Sequence, residues 1–187
     1  MRRILLIGAA GAFGSRLAVM LAKFDGIELV LAGRRQGPLE NLQARLMAQD
    51  CPAKIAIAVF DRHRPNDLAG LAPWLVIDAA GPFQDSGYEL ALAAIDGGAH
   101  YIDLADGRTF VAGFPTSLDQ KARARGVLAV TGASSTPALS HAALTPLVAG
   151  WTQIDETIVA ISPGARSPRG LSVVKSILSY AGKPVRI

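Results

Sequence analysis

The chain has 187 residues, of which 50% are hydrophobic and 18% charged, and its formal net charge is +4. Its length suits one domain or slightly more, and the apolar content allows a sizeable core and excludes an intrinsically disordered chain. The single cysteine, Cys51, excludes a disulfide framework and a cysteine metal cluster, and a free thiol fits the reducing cytoplasm. The basic excess is dispersed and aromatic residues are only 6%, so we expect no nucleic-acid partner.

The N-terminal stretch RRILLIGAAGAFGSRLAVML fits two different interpretations. A secretory leader needs a basic region, an apolar core and a cleavage site, but Arg16 and Lys23 interrupt any continuous apolar core. No charge-free run of about 18 residues follows, so a membrane span is not predicted either. The alternative is a short strand at 4–7 that enters a glycine turn and then a helix, as in the phosphate-binding turn of dinucleotide enzymes. The sequence favours this second interpretation.

Three glycines in this turn are spaced as G-x-x-G-x-x-G. Gly8 suits a tight turn, and Gly11, together with the neighbouring Ala12 and Phe13, lets the backbone approach a pyrophosphate. Gly14 allows the new helix to pack closely on the strand, and the helix N-terminus favours the negative charge of the phosphates. The spacing alone is a weak signal, and a glycine-rich strand-to-helix turn without a ligand remains the alternative.

Apolar runs and helical patterns alternate along the chain. Further strands are predicted over 27–35, 54–61, 74–83, 99–106 and 127–133, and helices over 15–24, 37–49, 86–98, 117–126 and 137–150, the last one broken at Pro146. Nearly continuous apolar strands between helices predict an α/β fold with a doubly wound parallel sheet of the Rossmann type.

Periodicity also predicts which side chains the first two helices bury. The first helix is expected to bury Leu17, Met20, Leu21 and Phe24, and the second Leu39, Leu42 and Leu46. Gly37 and Pro38 suit the cap and the first position of the second helix.

The C-terminal part of the chain has a different pattern. Residues 1–150 are predicted to form an NADP-binding domain, and residues 151–187 the start of a second domain or a linking element that is cut short. The segment TIVAIS predicts a strand over 157–162, followed by a loop over 163–170 and a helix from 171. An unpaired strand edge here suggests self-association into a homodimer.

Cofactor preference depends on the end of the second strand. An acidic residue about 20 positions after the glycine turn would bind the ribose 2′-hydroxyl of NAD. Here Gly33 is followed by Arg34 and Arg35 instead. A guanidinium offers a charged fork to a 2′-phosphate and a flat face to the adenine, so these residues predict NADP. Two solvated arginines at a strand end are the alternative.

Other strand ends supply further candidates for cofactor contact. Asp61 ends the third strand, where its carboxylate would accept a hydrogen bond from the adenine amino group or cap the turn through Pro65. The fourth strand ends in small residues that leave room for the ribose and nicotinamide, across the topological switch from the first. The candidates there are Ala80, Gly81, Pro82 and Phe83.

No catalytic set is predicted from the residues. None of the three tyrosines is followed by a lysine four positions later, and the three histidines lack metal-ligand spacing, so no metal site is predicted. Asp103 and Asp106 lie at the end of the fifth strand, where they would touch substrate, orient a loop or cap a helix.

Several segments together resemble one family. AAGPFQDSGYELALAAIDGGAHYIDLAD, GASSTPALS and SPRGLSVVKSILSYAGKPVRI are similar to the saccharopine dehydrogenase NADP-binding domain family, and the likeness covers nearly the whole chain. Asp106-Gly107 replace the family's common Gly-Glu, and the Ser-x-Pro turn lacks its common cysteine. The resemblance implies a Rossmann half that binds NADP, followed by a substrate domain. Its cofactor-facing residues would be Gly8, Gly11, Gly14, Arg34, Gly81 and Phe83.

These observations predict the cofactor-binding part of a cytoplasmic NADP-dependent oxidoreductase of the saccharopine dehydrogenase-like type. Its substrate would be a small molecule bound largely by residues beyond 187, so this chain alone is expected to be inactive. Two alternatives stay open. One is a non-catalytic NADP(H) redox sensor, suggested by the missing catalytic set. The other is a structural α/β domain with an empty glycine turn.

Overall fold

The computed structural model describes residues 1–162, 174–175, 178 and 181–182. Its strands are β1 (Arg2–Ile7), β2 (Ile27–Gly33), β3 (Lys54–Val59), β4 (Leu75–Asp78), β5 (His100–Asp103) and β6 (Ala129–Val130). Its α-helices are α1 (Gly14–Leu21), α2 (Gln36–Met47), α3 (Leu68–Leu71), α4 (Glu89–Asp96), α5 (Arg108–Arg125) and α6 (Ser140–Leu147). A short 3₁₀ turn at Pro65–Asp67 precedes α3, and an irregular turn at Ser135–Leu139 precedes α6.

The six strands form one parallel sheet in the order β3-β2-β1-β4-β5-β6. The chain runs outward from β1 to β3 and then crosses back to β4, so the winding direction reverses between β1 and β4. Ile7 is paired with Ala32 of β2 on one side and with Asp78 of β4 on the other. The loops that follow these three strands therefore meet at one edge of the sheet. The predicted doubly wound α/β fold is confirmed.

The core lies in two layers, one on each face of the sheet. Successive residues of β1 alternate between them, because side chains of a strand point to opposite faces. Leu5 and Ile7 pack in the layer that contains residues of α4 and α5, and Ile4 and Leu6 in the layer that contains residues of α1 and α2. A strand that is covered on both faces has a nearly continuous apolar sequence, as β1 has.

Helix α1 packs on the sheet through small side chains. Gly14, Ala18 and Ala22 are buried, whereas Met20 and Phe24 are each 62% exposed. The predicted burial of Met20 and Phe24 is wrong, because a helix that follows so tight a turn approaches the sheet too closely for large side chains. The α2 prediction is confirmed, with Leu39, Leu42 and Leu46 buried.

The helix boundaries differ from the prediction, most of all at the start of α5, and the short helix α3 was not predicted. Helix α2 begins at Gln36, so Gly37 and Pro38 lie within its first turn. Helix α5 begins at Arg108 rather than 117 and contains Pro115. Its N-terminal half was missed because a glycine and a proline interrupt the helical pattern there.

The segment 151–162 has no regular secondary structure, so the strand predicted over 157–162 is wrong. Ile158 and Ile161 are 83% and 60% exposed, and the segment is not paired with the sheet. The suggestion of a homodimer depended on that strand and loses its support. The predicted loop over 163–170 and most of the helix predicted from 171 lie outside the described residues. Among the described helices, we find none with the length and apolar character needed to cross a bilayer.

Candidate cofactor-binding site

A cleft of about 660 Å³ lies at the carboxyl ends of β1, β2 and β4. It spans the point where the winding reverses, which is where open α/β sheets bind their ligands. Its lining comes mainly from the loops after four strands. The residues are Ile7, Gly8, Ala10, Gly11, Ala12, Phe13, Gly33, Arg34, Arg35, Pro38, Leu39, Phe60, Arg62, His63, Ala79, Ala80, Gly81, Pro82, Asp85, Ser86 and Lys175.

The glycine turn between β1 and α1 has no room for side chains at two positions. Gly8 has a φ of +75°, and a Cβ there would lie 2.9 Å from the Cβ of Ala80. A Cβ on Gly14 would lie 2.1 Å from the carbonyl oxygen of Gly8. The Gly11 amide donates to the same oxygen at 2.8 Å. Gly8 and Gly11 line the cleft, whereas Gly14 lies behind it and fixes the turn against the helix.

The next residues of this turn offer free hydrogen-bond donors. Ala12 and Phe13 line the cleft, and their amides donate no hydrogen bond within the part of the chain that the structure describes. They lie directly before the first turn of α1, where the helix dipole favours negative charge. An anionic phosphate group therefore fits this end of the cleft.

Arg34 and Arg35 follow β2 and line the cleft from the neighbouring strand. Both are exposed, and neither forms an ion pair with another described residue. No carboxylate lies at the end of β2, so this part of the cleft suits a phosphate rather than a bare ribose hydroxyl. Lys175, from the C-terminal part of the chain, adds another cation to the lining.

The structure places Asp61 outside the cleft lining, between Phe60 and Arg62, which both belong to it. Asp61 Oδ1 accepts a hydrogen bond from the backbone amide of His63 at 3.1 Å, and its carbonyl oxygen accepts one from Arg64 at 3.0 Å. These contacts correspond to the turn-capping alternative.

The loop after β4 is divided between the cleft and the core. Ala80, Gly81 and Pro82 line the cleft, as the predicted contact requires. Phe83 is only 3% exposed and packs against Phe110, with ring centroids 5.4 Å apart. The structure therefore places Phe83 in the core beneath the loop rather than on the cleft surface.

Arg62 is the main cleft residue that sequence reasoning missed. Its Nη2 lies 2.8 Å from Asp78 Oδ2, and its Nη1 donates to the carbonyl oxygen of Ala80 at 2.7 Å and to Ser86 Oγ at 3.2 Å. The guanidinium also lies 4.8 Å from the centroid of the Phe83 ring. One side chain therefore joins the end of β3 to the end of β4 and to the loop beyond it. His63, Phe60, Ser86 and Lys175 also line the cleft and were not predicted.

Two buried carboxylates lie behind this loop. Burial raises the pKa of Asp78 to about 6, against the opposing effect of the Arg62 guanidinium. Burial likewise raises the pKa of Asp103, against hydrogen bonds from the Gly132 and Ala105 amides. Asp103 Oδ1 accepts those two bonds at 2.9 and 3.0 Å and a third from Thr131 at 2.8 Å. Asp103 is fully buried, so among the roles considered for it the structure supports loop orientation.

Comparisons with known proteins show the family of this chain. The family described as "Saccharopine dehydrogenase NADP binding domain" matches residues 4–130. The "Lipid droplet localized protein" of Caenorhabditis elegans is 26% identical over 145 residues, which cover 72% of this chain and 34% of that protein.

Two solved structures show the same fold. Apo saccharopine dehydrogenase (L-Glu forming) from Saccharomyces cerevisiae matches with a TM-score of 0.58 at 16% identity, over 80% of this chain and 31% of that one. A short chain dehydrogenase from Mycobacterium smegmatis matches with a TM-score of 0.56 at 16% identity, over 76% of this chain and 83% of that one.

The chain therefore spans about a third of the length of the worm protein and of the yeast enzyme. The family match extends from β1 to β6 and so includes every strand that borders the cleft. The chain belongs to the saccharopine dehydrogenase NADP-binding domain family, a dehydrogenase-type domain whose cofactor is NADP.

Proposed function

We propose that this chain is the cofactor-binding part of an NADP-dependent oxidoreductase of the saccharopine dehydrogenase-like type. In this proposal residues 1–150 form the NADP-binding domain, and residues 151–187 begin a second domain or a linking element. The observation that carries the proposal is the cleft itself. It combines a glycine turn whose Ala12 and Phe13 amides have no hydrogen-bond acceptor among the described residues, two arginines at the end of β2 that form no ion pair among those residues, and a small-residue loop after β4.

The two halves of the cleft are assigned from the chemistry of their walls. The amides of Ala12 and Phe13 bind the pyrophosphate, and Arg34 and Arg35 bind the adenosine 2′-phosphate. The loop after β4, on the far side of the winding reversal, accommodates the ribose and nicotinamide.

When bound, the cofactor supplies hydride transfer at its nicotinamide, and the protein supplies binding, orientation and electrostatics. The substrate is a small molecule. Its binding groups lie largely in the part of such proteins that this chain does not span, so we expect residues 1–187 to bind NADPH without turning over a substrate.

The proposal is tested by calorimetric titration of the chain with NADPH and NADH. We expect tighter binding of NADPH, and an Arg34→Ala variant should lose about tenfold or more of that affinity, since a charge-assisted hydrogen bond contributes about 1.5–3 kcal/mol. The variant should lose much less affinity for NADH than for NADPH, because NADH has no 2′-phosphate.

Arg45→Ala is the matched control, because Arg45 is an exposed arginine in the last turn of α2, outside the cleft lining. It should leave both affinities unchanged. Equal binding of NADPH and NADH by the unmodified chain would contradict the assigned role of Arg34 and Arg35.

A further inference from the structure

The loop from Ala79 to Pro82 forms the cleft wall after β4, and Ala80 also packs against the core. The Ala79 amide donates to Ile7 at 3.0 Å, and the Ala80 amide donates to Asp78 Oδ1 at 3.0 Å. The other hydrogen bonds that the structure describes for this loop involve the side chains of Arg62 and Ser86.

The side chain of Arg62 is largely buried in this wall of the cleft. Its side chain is 10% exposed, and the Asp78 carboxylate with which it pairs at 2.8 Å is fully buried. From this position Nη1 donates to the Ala80 carbonyl oxygen at 2.7 Å and to Ser86 Oγ at 3.2 Å. Ser86 Oγ in turn donates to the Pro82 carbonyl oxygen at 3.0 Å. The guanidinium is thus hydrogen-bonded directly to the loop at Ala80 and, through Ser86, indirectly to the loop at Pro82.

We propose that Arg62 is a positioning residue which, by fixing the backbone of the Ala80–Pro82 loop, sets the place of the nicotinamide half of NADP and leaves the adenosine half unaffected. This inference rests on the proposed function of the cleft. Arg62 follows β3, whereas the loop that it positions follows β4. Arg62 acts through the loop and needs no contact with the reacting atoms.

The geometry requires an arginine at this position. The planar guanidinium directs several N–H groups in a fixed fork, so it can bind a carboxylate and a carbonyl oxygen at the same time. A lysine would keep the charge beside Asp78 but would offer a single nitrogen, which could not also reach the Ala80 carbonyl oxygen and Ser86. Arg62→Lys is therefore expected to keep the buried ion pair and to lose the fixed loop.

The test compares two ligands that occupy different parts of the cleft. Adenosine 2′,5′-bisphosphate contains the adenosine half with its 2′-phosphate and lacks the nicotinamide half, whereas NADPH contains both. The unmodified chain, Arg62→Gln, Arg62→Lys and Arg64→Gln are titrated with each ligand. Arg64 is the control, because it is an exposed arginine two positions away and outside the cleft lining.

We expect Arg62→Gln and Arg62→Lys to weaken NADPH binding by about tenfold, which corresponds to the loss of one charge-assisted hydrogen bond. Binding of the bisphosphate should change by less than about twofold. Arg64→Gln should change neither. A merely structural role would lower both affinities together, and that result would overturn the proposal, as would NADPH binding that is unchanged in both Arg62 variants.

Two further outcomes need separate treatment: a variant that does not fold, and an unmodified chain that binds neither ligand. If Arg62→Gln does not fold, Arg62→Lys decides the question, because it keeps the positive charge beside Asp78 and loses the link to the Ala80 carbonyl oxygen. Selective loss of NADPH affinity in that variant supports the proposal, and unchanged affinity overturns it. If the unmodified chain binds neither ligand, the proposed function of the cleft fails, which is distinct from a failure of the role assigned to Arg62.

Discussion

At the scale of single residues, Gly14 determines how closely α1 follows the glycine turn. A Cβ at this position would lie 2.1 Å from the carbonyl oxygen of Gly8 and 2.9 Å from Cα of Ala9, both parts of the backbone that cannot rotate away. Gly14→Ala should therefore destabilise the fold by about 1–3 kcal/mol, the usual cost of overpacking, and should weaken NADPH binding by moving the turn. Urea unfolding and titration with NADPH measure the two effects.

Gly70→Ala is the matched control for this prediction. Gly70 lies in the short helix α3 and is exposed, and a Cβ there meets nothing within 4 Å. The substitution should leave stability unchanged or raise it by up to about 1 kcal/mol, since alanine favours a helix over glycine. An equal, small effect of both substitutions would show that the turn tolerates a side chain at Gly14.

The cleft residues that could be predicted from the sequence are those that belong to a recognisable local motif. Gly8, Gly11, Arg34 and Gly81 occur in recognisable strand-to-turn segments, and the structure brings them to one cleft. Arg62 could not be predicted in this way, because its partners lie 16 to 24 positions away and become neighbours only when β3 and β4 are placed in the sheet.

At the scale of elements, α5 contains a proline at a position where a helix gains nothing from it. Pro115 is the eighth residue of Arg108–Arg125, so its missing amide leaves the Val111 carbonyl without its usual helical partner. Pro115→Ala should raise the free energy of unfolding by about 1–2 kcal/mol. The gain in the helix, about 3 kcal/mol, is partly offset by the greater freedom of alanine in the unfolded chain.

Pro38→Ala provides the comparison for Pro115→Ala, because Pro38 lies in the first turn of α2, where the amide has no helical partner anyway. That substitution should leave stability unchanged or lower it slightly. Denaturant unfolding of the two variants side by side measures the difference. A lower stability of Pro115→Ala than of the unmodified chain would show that the helix needs the proline.

Elements were predictable where their burial follows a simple period. The apolar runs of β1 to β5 and the leucines of α2 lead directly to the observed sheet and helix. Helix α1 departs from this rule, because the geometry of the turn before it selects small residues for the contact and leaves Met20 and Phe24 exposed. The segment 157–162 has the composition of a strand but is paired with no strand of the sheet, and composition alone cannot supply a partner.

At the scale of the whole molecule, the fold places unequal numbers of acids and bases behind the cleft. Among the described residues, the fully buried Asp78 and Asp103 are accompanied by one paired guanidinium, that of Arg62. The Tyr101 hydroxyl donates to Asp78 Oδ2 at 3.5 Å, and the Asp103 carboxylate repels that of Asp78. Desolvation and this repulsion together favour the protonated form of Asp78, which the ion pair with Arg62 only partly counteracts.

The contribution of Asp78 to the stability of the protein should therefore increase as the pH falls. Since the pKa of Asp78 is raised to about 6, the folded protein binds a proton that the unfolded chain, with an aspartate pKa of about 3.9, releases. Between about pH 4 and pH 6, Asp78 then makes unfolding harder as the pH falls, by up to about 1.4 kcal/mol per pH unit. Asp103, whose pKa is also raised, acts in the same direction. Glu28 acts in the opposite direction, because Arg3 and Lys54 lower its pKa.

The contribution of Asp78 is isolated by comparing the unmodified chain with Asp78→Asn in urea unfolding across this pH range. Asparagine keeps the acceptor for the Ala80 amide and removes the titrating proton. We expect the unmodified chain to gain more stability on acidification than the variant does, so that the difference between their free energies of unfolding changes steadily from pH 6 to pH 4. Two parallel curves would mean that Asp78 stays ionised throughout, and that the ion pair with Arg62 outweighs the desolvation of its carboxylate.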